Sequence, residues 1–386
     1  MKSGVSFRPS RREALPLSRC DRIAELPPPG GSSRTPRRYR AAIIGLGQIG
    51  NQFDDDPKRS VVWTHAGAYE CVPEVELIAG ADPDTNRLDR FLDRRNVRGG
   101  YQDYRQMLRD EAIDLLSVCS PTELHFSMVL DGARAGVKAI FCEKPLASTV
   151  EQGVAMVEAC RSAGVVLAVN HTRRWESIYL EAKRLLNDGV IGRIESVAGY
   201  YPGKVFTMGT HLFDLMRYFG GEVESVSGRE ITPAESEPNL CGHLQFQTGA
   251  HGAILSGRDR ANHIFELDLL GSRGRLRLSG DGTQLEIFRF EESPRYSRYR
   301  ELVSTPLDSG GCMPKENRLI EAVKDLVGCM HTGGTPACCG EDGLAALEIA
   351  CALLESARTD SRPVHLRPNR KNEERTQWLT SPRSAS

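Results

Sequence analysis

The feature that most constrains the fold is a glycine-rich turn directly after a short apolar segment. Residues 40 to 45 have the composition of a buried parallel strand, and the turn continues from there to residue 50. In such a turn the first glycine allows a tight bend, the second lets the backbone approach a pyrophosphate, and the third allows close packing of the following segment. We therefore predict a dinucleotide site built by Gly45, Gly47, Gln48, Ile49 and Gly50.

A carboxylate at the end of the next apolar run supports this interpretation. The run from residue 75 to 82 ends in Asp82, where a dinucleotide-binding sheet places an acidic residue that bonds the ribose hydroxyls. A 2′-phosphate about 4 Å from that carboxylate would be repelled by on the order of 4 kcal/mol per charge. The sequence therefore predicts NAD as the cofactor in preference to NADP.

The interval between the glycine turn and this carboxylate is unusually long. Asp82 follows Gly45 by 37 positions, whereas the usual spacing is about 20. The excess lies in residues 51 to 63. Two interpretations remain open: a solvated surface insertion, or a loop at the rim of the substrate pocket, because ligands bind outside the carboxyl ends of parallel strands.

The pattern of elements changes near residue 190. Apolar runs at 40–45, 75–82, 113–119, 138–143 and 165–170 alternate with helical stretches, which is typical of a doubly wound parallel sheet. After residue 194, strands follow in quick succession to residue 290, with one helix at 209–219, and helices close the chain at about 314–331 and 342–358. The predicted fold is α/β: a Rossmann sheet followed by an α+β domain with a large, mostly antiparallel open sheet.

Composition sets the predicted domain limits. The first 40 residues carry ten basic and three acidic side chains, and the last 20 carry five basic and two acidic ones. Residues 41–366 therefore have a net charge of −11. We predict a disordered basic extension over 1–37, a dinucleotide-binding domain over 38–164, a substrate and oligomerisation domain over 165–366 whose last helix packs back on the first domain, and a flexible tail over 367–386.

Net charge, the length of the apolar runs and the cysteine spacing exclude several functional classes. An acidic middle region is a poor surface for nucleic acid, and no apolar run is long enough to span a membrane. The eleven cysteines are scattered, without a Cys-x-x-Cys pair, which is typical of a reducing cytoplasm. Although Cys338 and Cys339 are adjacent, we expect neither a metal nor a redox site there.

Motifs farther along the chain resemble those of the Gfo/Idh/MocA oxidoreductases. The resemblance covers roughly residues 38 to 366 and rests on the glycine turn, Asp82, and the segments 120–125 (Ser-Pro-Thr-Glu-Leu-His), 143–145 (Glu-Lys-Pro), 209–214 (Gly-Thr-His-Leu-Phe-Asp) and 343–350. It implies hydride transfer between a sugar-like hydroxyl and C4 of a nicotinamide. It also implies cofactor contacts from Ser120, Pro121, Thr122, His125, Glu143 and Lys144.

Two catalytic roles follow from the resemblance. Lys144 corresponds to the lysine beside the reacting oxygen, where an ammonium stabilises a developing alkoxide. His211 corresponds to the proton acceptor, with an expected apparent pKa near the imidazole reference of about 6.5. Asp214, one helical turn later, either orients the imidazole or bonds backbone groups. The predicted substrate contacts are Lys144, Arg173, Trp175, Thr207, His211 and Asp214.

One position departs from the family pattern. Members similar to inositol dehydrogenase carry an aspartate four residues before the histidine, and this chain has Thr207 there. Threonine carries no charge, so we expect Lys144 and His211 to act without that carboxylate. If the carboxylate were restored as Thr207→Asp, we would expect it to raise the imidazole pKa.

Three functional classes are compatible with these motifs. The first is a cytoplasmic NAD-dependent dehydrogenase of a sugar, amino sugar or nucleotide-linked sugar, assembled as a homodimer or homotetramer through its open sheet. The second is a glycoside hydrolase that keeps NAD bound and oxidises its substrate only transiently. The third is a non-catalytic sensor of sugar or NAD, which would need neither Lys144 nor His211.

Overall fold

The computed structural model describes residues 38–232, 237–258, 261–306 and 317–366. The predicted extension over 1–37 and tail over 367–386 lie outside these residues. Within them, the first half forms a parallel sheet of six strands in the order β3-β2-β1-β4-β5-β6. Its strands are β1 (Tyr39–Ile44), β2 (Val75–Ala81), β3 (Gly99–Tyr101), β4 (Leu115–Val118), β5 (Ala139–Cys142) and β6 (Val166–Val169).

Strand order locates the crevice of this sheet. Residues 41–44 of β1 pair in parallel with β4 on one side, and β1 pairs with β2 on the other. The chain therefore turns in opposite directions after β1 and β4, and their carboxyl ends flank the opening in which doubly wound sheets bind ligands. Five of the helices that pack on this sheet alternate with its strands: α1 (His65–Glu70), α2 (Thr85–Arg95), α3 (Tyr104–Asp110), α4 (Thr122–Arg134) and α5 (Val150–Ser162).

A second, mostly antiparallel sheet follows α6 (Ser177–Asn187) and is interrupted by α7 (Thr210–Gly220). Its nine strands, counted over the described ranges, run in the order β14-β13-β12-β11-β7-β10-β9-β8-β15, and β7 pairs in parallel with β10. They are β7 (Ile194–Tyr201), β8 (Val223–Thr232), β9 (Asn239–Phe246), β10 (His251–Ser256), β11 (Glu266–Gly271), β12 (Gly274–Ser279), β13 (Gln284–Glu292), β14 (Arg300–Thr305) and β15 (Val364–His365).

The last two helices, α8 (Arg318–Thr332) and α9 (Gly340–Arg358), follow this sheet. Helix α9 connects the two sheets through close backbone contacts. Near its start, a Cβ on Gly343 would lie 2.5 Å from Val169 in β6. Near its end, a Cβ on Gly228 of β8 would lie 2.4 Å from the carbonyl oxygen of Leu353. The helix therefore packs against both sheets at distances that only glycine permits.

The predicted fold class is confirmed: a parallel Rossmann sheet and a mostly antiparallel second sheet. In the parallel sheet, every strand except β3 lies within two residues of its expected position, and the second sheet begins with β7 at residue 194, as predicted. Strands β3, β14 and β15 were not predicted from the sequence. They are short or charged edge strands without the apolar alternation that identifies a strand.

Candidate active site

A cavity of about 770 Å³ opens at the carboxyl ends of β1, β4 and β5 and reaches α7, α8 and two loops of the second sheet. Eleven of the residues predicted from sequence line it: Gly45, Gly47, Gln48, Ile49, Asp82, Ser120, Pro121, Glu143, Lys144, Arg173 and His211. Predicted residues that do not line it are Gly50, Thr122, His125, Trp175, Thr207 and Asp214. The cavity thus joins the glycine turn to the lysine and the histidine.

The glycine turn has the shape that a pyrophosphate needs. Gly45 adopts φ +89°, and a Cβ there would lie 2.7 Å from the backbone of Cys119 and Ser120. Gly47 faces open space, since its Cβ would meet no atom within 4 Å. A Cβ on Gly50 would lie 2.1 Å from the oxygen of Gly45, so this glycine closes the turn instead of facing the cavity. These residues fit a dinucleotide, with the free space above Gly47 available for its phosphates.

Asp82 is buried at the edge of the same cavity. Its Oδ2 accepts a hydrogen bond from the amide of Leu46 at 2.8 Å, and its Oδ1 accepts one from the amide of Asp84 at 2.9 Å. Nη1 of Arg87 lies 3.8 Å from Oδ2, and the side chain of Arg87 is half exposed. The carboxylate is therefore fixed by backbone amides beside the turn, with lone pairs left for ribose hydroxyls.

Glu143 is held by a buried hydrogen-bonded chain that the sequence did not reveal. Its Oε1 accepts from Nδ2 of Asn170 at 2.5 Å and lies 3.0 Å from Nε2 of His65. Burial by itself would raise the pKa of Glu143, but the hydrogen bond and charge of His65, together with Lys144 and Asn170, keep it below its ordinary value. Glu143 is therefore an anion beside the lysine.

The chain continues away from the cavity. Because the Glu143 carboxylate only accepts hydrogen bonds, Nε2 of His65 donates to it, and Nδ1 of His65 lies 2.7 Å from Oγ of Ser117. The Tyr69 hydroxyl lies 2.6 Å from the same Oγ. Burial raises the pKa of Tyr69, so the phenol keeps its proton. His65 is thus a support for Glu143 and does not line the cavity.

Lys144 reaches across from the first sheet to the segment before α7. Its Nζ donates to the carbonyl oxygen of Thr207 at 2.7 Å. Thr207 itself is held by Glu237, which accepts from the amides of Phe206 and Thr207 at 2.5 and 2.6 Å and from the Thr207 hydroxyl at 2.6 Å. Thr207 therefore positions the lysine through its backbone.

This arrangement adds a consequence to the expectation for Thr207→Asp, which stays a prediction. An aspartate at position 207 would place a second carboxylate against Glu237, and like charges at that separation repel. Glu237 lies 30 residues from Thr207 in the sequence, so no local pattern could have identified it.

His211 is a buried, neutral imidazole. It is 7% exposed and lies 5.4 Å from the ring of His171, centroid to centroid. Its Nδ1 has no hydrogen-bond partner among the described residues. Burial, followed by the positive charges of Lys144 and Arg173, holds the pKa of His211 well below its ordinary value. The imidazole is therefore available as a proton acceptor at neutral pH.

Asp214 does not orient that imidazole. Both of its oxygens accept hydrogen bonds from Arg174, at 2.7 Å each. Within the described ranges Asp214 also forms the one group of potential metal ligands, with His171 and Cys338. A metal ion there would have to displace or tolerate the Arg174 guanidinium, so the group is better described as a buried ion pair with neighbouring polar side chains.

Three other predicted residues lie outside the cavity lining. His125 is buried, with Nε2 2.9 Å from the oxygen of Ser120 and Nδ1 3.1 Å from that of Pro145, and so connects the loops after β4 and β5. Thr122 begins α4. Trp175 donates from Nε1 to Asp325 at 2.8 Å, away from the cavity.

Arg173 lines the cavity. It is 5% exposed, with Nη2 3.0 Å from Oδ1 of Asp281. Of the predicted substrate contacts, the cavity therefore brings together Lys144, His211 and Arg173.

Two family models match the chain. Residues 39–171 match the oxidoreductase family's NAD-binding Rossmann fold, and residues 202–366 match the same family's C-terminal alpha/beta domain. The chain belongs to the Gfo/Idh/MocA family. It is therefore an oxidoreductase with an NAD-binding domain, and the resemblance inferred from its motifs is confirmed.

Similar proteins of this family are dehydrogenases that act on CH–OH groups. Myo-inositol 2-dehydrogenase of Thermotoga maritima is 28% identical over 85% of this chain and 98% of its own length. D-apiose dehydrogenase of Paraburkholderia graminis is 26% identical over 87% and 92%. The fold also matches levoglucosan dehydrogenase in complex with NADH, with a TM-score of 0.72, 21% identity and coverage of 86% and 100%. Separately, in the part of the chain that the structure describes, no helix combines the length and apolar character needed to cross a membrane.

Proposed function

We propose that this protein is an NAD-dependent dehydrogenase that transfers a hydride between a carbon bearing a hydroxyl and C4 of the nicotinamide. Its substrate is a sugar or polyol, and amino sugars and nucleotide-linked sugars belong to the range to be tested. The observation that carries this proposal is the shared cavity. Lys144 from the first sheet and His211 from α7 face the same space, which begins at the glycine turn.

The residues divide the chemistry between them. When bound, NAD supplies the hydride acceptor. Lys144, fixed by the carbonyl oxygen of Thr207, stabilises negative charge on the reacting oxygen. His211, held neutral by burial and neighbouring cations, takes the hydroxyl proton. Glu143 places an anion beside Lys144, and the charge of Lys144 in turn helps to lower the pKa of Glu143.

Asp82 supports the choice of NAD over NADP. Its fixed, buried carboxylate would repel a 2′-phosphate, although the half-exposed Arg87 lies within 4 Å of it. We also propose a cytoplasmic protein that assembles through its open sheet as a homodimer or homotetramer. Tyr200 of β7 and Leu255 of β10 are large, exposed side chains on that sheet, where association would bury them.

The decisive experiment compares the wild-type protein with Lys144→Met. NADH formation is followed by absorbance with a panel of inositols, aldoses and anhydrosugars, and NAD affinity is measured by titration. We expect the substitution to lower turnover by at least about a hundredfold with NAD affinity nearly unchanged, as for loss of one preorganised donor. Equal loss of NAD binding would show that Lys144 is structural.

The same assay separates the other functional classes. Cleavage of a glycoside without net NADH formation would indicate the hydrolase with permanently bound NAD. Tight sugar and NAD binding without any turnover would indicate a sensor. Each of these results would contradict the proposed dehydrogenase.

A further inference from the structure

The insertion at residues 51–63 is a folded part of the cavity wall. Phe53, Arg59 and Trp63 line the cavity. The buried carboxylate of Asp54 closes the loop, because it accepts from the amide of Trp63 at 2.7 Å and from the hydroxyl of Thr64 at 2.5 Å. Of the two interpretations left open by the sequence, the geometry favours the one in which this loop contacts ligand.

A second contact joins this loop to the opposite side of the cavity. The amide of Val62 donates to Oδ1 of Asn317, the residue that precedes α8, at 2.8 Å. Arg318, the first residue of α8, places its guanidinium carbon 4.4 Å from the centroid of the Trp63 ring. The loop and α8 therefore form one continuous surface.

Two guanidinium groups lie against the same indole ring. The guanidinium carbon of Arg59 lies 4.7 Å from the Trp63 centroid and 4.1 Å from that of Phe53. Nε of Arg59 lies 3.5 Å from Oδ2 of Asp56 without hydrogen-bond geometry. Stacking on rings holds a guanidinium in place and leaves its N–H groups available for a planar anion.

Cationic side chains outnumber carboxylates among the residues that line this end of the cavity. Counted over the described residues, its walls present four cations, Lys144, Arg59, Arg173 and Arg318, and two carboxylates, Glu143 and Asp281. Asp281 pairs with Arg173, Glu143 with His65 and Asn170, and Arg318 forms a buried ion pair through Nη1 with Glu176, which does not line the cavity. Burial, reinforced by Arg173 and opposed by Glu176, lowers the pKa of Arg318. A bound anion would therefore be stabilised by these cations.

We propose that the loop Phe53–Trp63 and Arg318 form a substrate subsite for an anionic group, so that the preferred substrates are sugars carrying a carboxylate or a phosphate. Arg59 and Arg318 bind that group while Lys144 and His211 act on a hydroxyl of the same molecule. This inference rests on the proposed dehydrogenase activity and names its substrate class. The other anion that this cavity would receive is the cofactor pyrophosphate, so cofactor affinity must be measured separately.

The test uses the full-length protein saturated with NAD. Binding of D-glucuronate and D-galacturonate is compared by calorimetry with that of D-glucose and D-galactose, and glucose 6-phosphate represents the phosphate class. The variant is Arg59→Gln, because its partly exposed side chain can be replaced without leaving a buried carboxylate unpaired. The matched control is Arg90→Gln, which removes the same charge from an exposed position on α2 outside the cavity.

We expect at least one anionic sugar to bind about tenfold or more tightly than its neutral counterpart, as for a charge-assisted hydrogen bond. Arg59→Gln should weaken that binding by about 10- to 100-fold and change the affinities for the neutral sugars and for NAD by less than about twofold. Arg90→Gln should change none of them. A phosphate preference with the same dependence on Arg59 would assign the anion as phosphate.

Three results would overturn the subsite. They are equal binding of acids and neutral sugars by the wild-type protein, no measurable binding of any acid, and a parallel loss of NAD affinity in Arg59→Gln, which would assign the anion to the pyrophosphate. NADH formation is recorded alongside. If anionic sugars bind through Arg59 but no sugar yields NADH, the dehydrogenase activity is contradicted and the subsite is retained. If only neutral sugars are oxidised efficiently, the dehydrogenase activity is retained and the subsite is contradicted.

Discussion

At the scale of single residues, His211 shows how much the surroundings add to a motif. The sequence identified a histidine at the position of the family's proton acceptor, with an expected pKa near that of free imidazole. The structure surrounds it with Lys144, Arg173 and His171 and buries it, and each of these lowers its pKa. The residue type could be read from the sequence, but these neighbours lie in the segments that follow β5 and β6, far from His211 in the chain.

The pH profile of oxidation should therefore differ from that of an exposed histidine. Because the pKa of His211 is lowered, its imidazole is already in the neutral, proton-accepting form at pH 6.5. Titration of this group should therefore leave kcat/KM unchanged from pH 6.5 upward. We expect His211→Asn to lower kcat/KM by about 10²- to 10⁴-fold. Initial rates from pH 5 to 9 with one active sugar measure both. An inflection at or above about 6.5 that vanishes in the variant would contradict the lowered pKa.

At the scale of elements, the five-residue helical turn Val205–Gly209 links Lys144 to α7. The sequence showed that Thr207 occupies the position of an aspartate in some relatives. It could not show that Glu237, just before β9, supplies a carboxylate to the backbone of this turn. Tertiary contacts of this kind leave no periodic pattern, whereas the strands around them, such as β7, are recognisable from alternation.

Glu237 is expected to act as a positioning residue for Lys144. Glu237→Ala removes the acceptor of two amides and one hydroxyl, which should release the carbonyl oxygen that holds the ammonium. We expect kcat to fall about 10- to 100-fold with little change in NAD affinity, because displacement by about 1 Å can cost a hundredfold. Glu237→Gln should restore part of the rate, since an amide oxygen still accepts from the backbone.

Exposed Glu230 on β8 provides the matched control, as Glu230→Ala removes the same charge away from the turn. Identical kinetics of the Ala and Gln variants of Glu237, both at the wild-type rate, would exclude the positioning role.

At the scale of the whole molecule, buried neutral histidines should make the fold sensitive to mild acid. Burial is the largest cause of the lowered pKa of His171, about 4, with Asp214 opposing it. Between pH 6.5 and about 4 the unfolded chain takes up a proton at His171 that the folded protein excludes. The free energy of unfolding therefore falls as the pH falls through this window, and below about pH 4 the contribution of His171 is fully lost. The difference corresponds to roughly 3 kcal/mol.

Urea denaturation at pH 7, 6, 5 and 4.5 measures this dependence, and His171→Asn should reduce its slope. Carboxylates such as Asp342, whose pKa is lowered to about 2, lose their contribution only as pH falls below their ordinary value of about 3.9. Their effect therefore lies at more acidic pH. Equal slopes in the wild-type protein and the variant would show that His171 does not set the acid response.

The close packing of α9 restricts how this protein can change over evolutionary time. A single methyl group at Gly228, Gly242, Gly340 or Gly343 would lie 2.4 to 2.7 Å from atoms of the opposing element. Lys144 extends from one of the sheets joined by this helix, and His211 lies on α7, which packs against the other. A shift of a few tenths of an ångström in α9 would therefore change the separation of the two reacting groups, to which hydride transfer is steeply sensitive. Substitutions far from the cavity, of a kind that most helices tolerate, would in this family member be selected against through turnover as well as through folding.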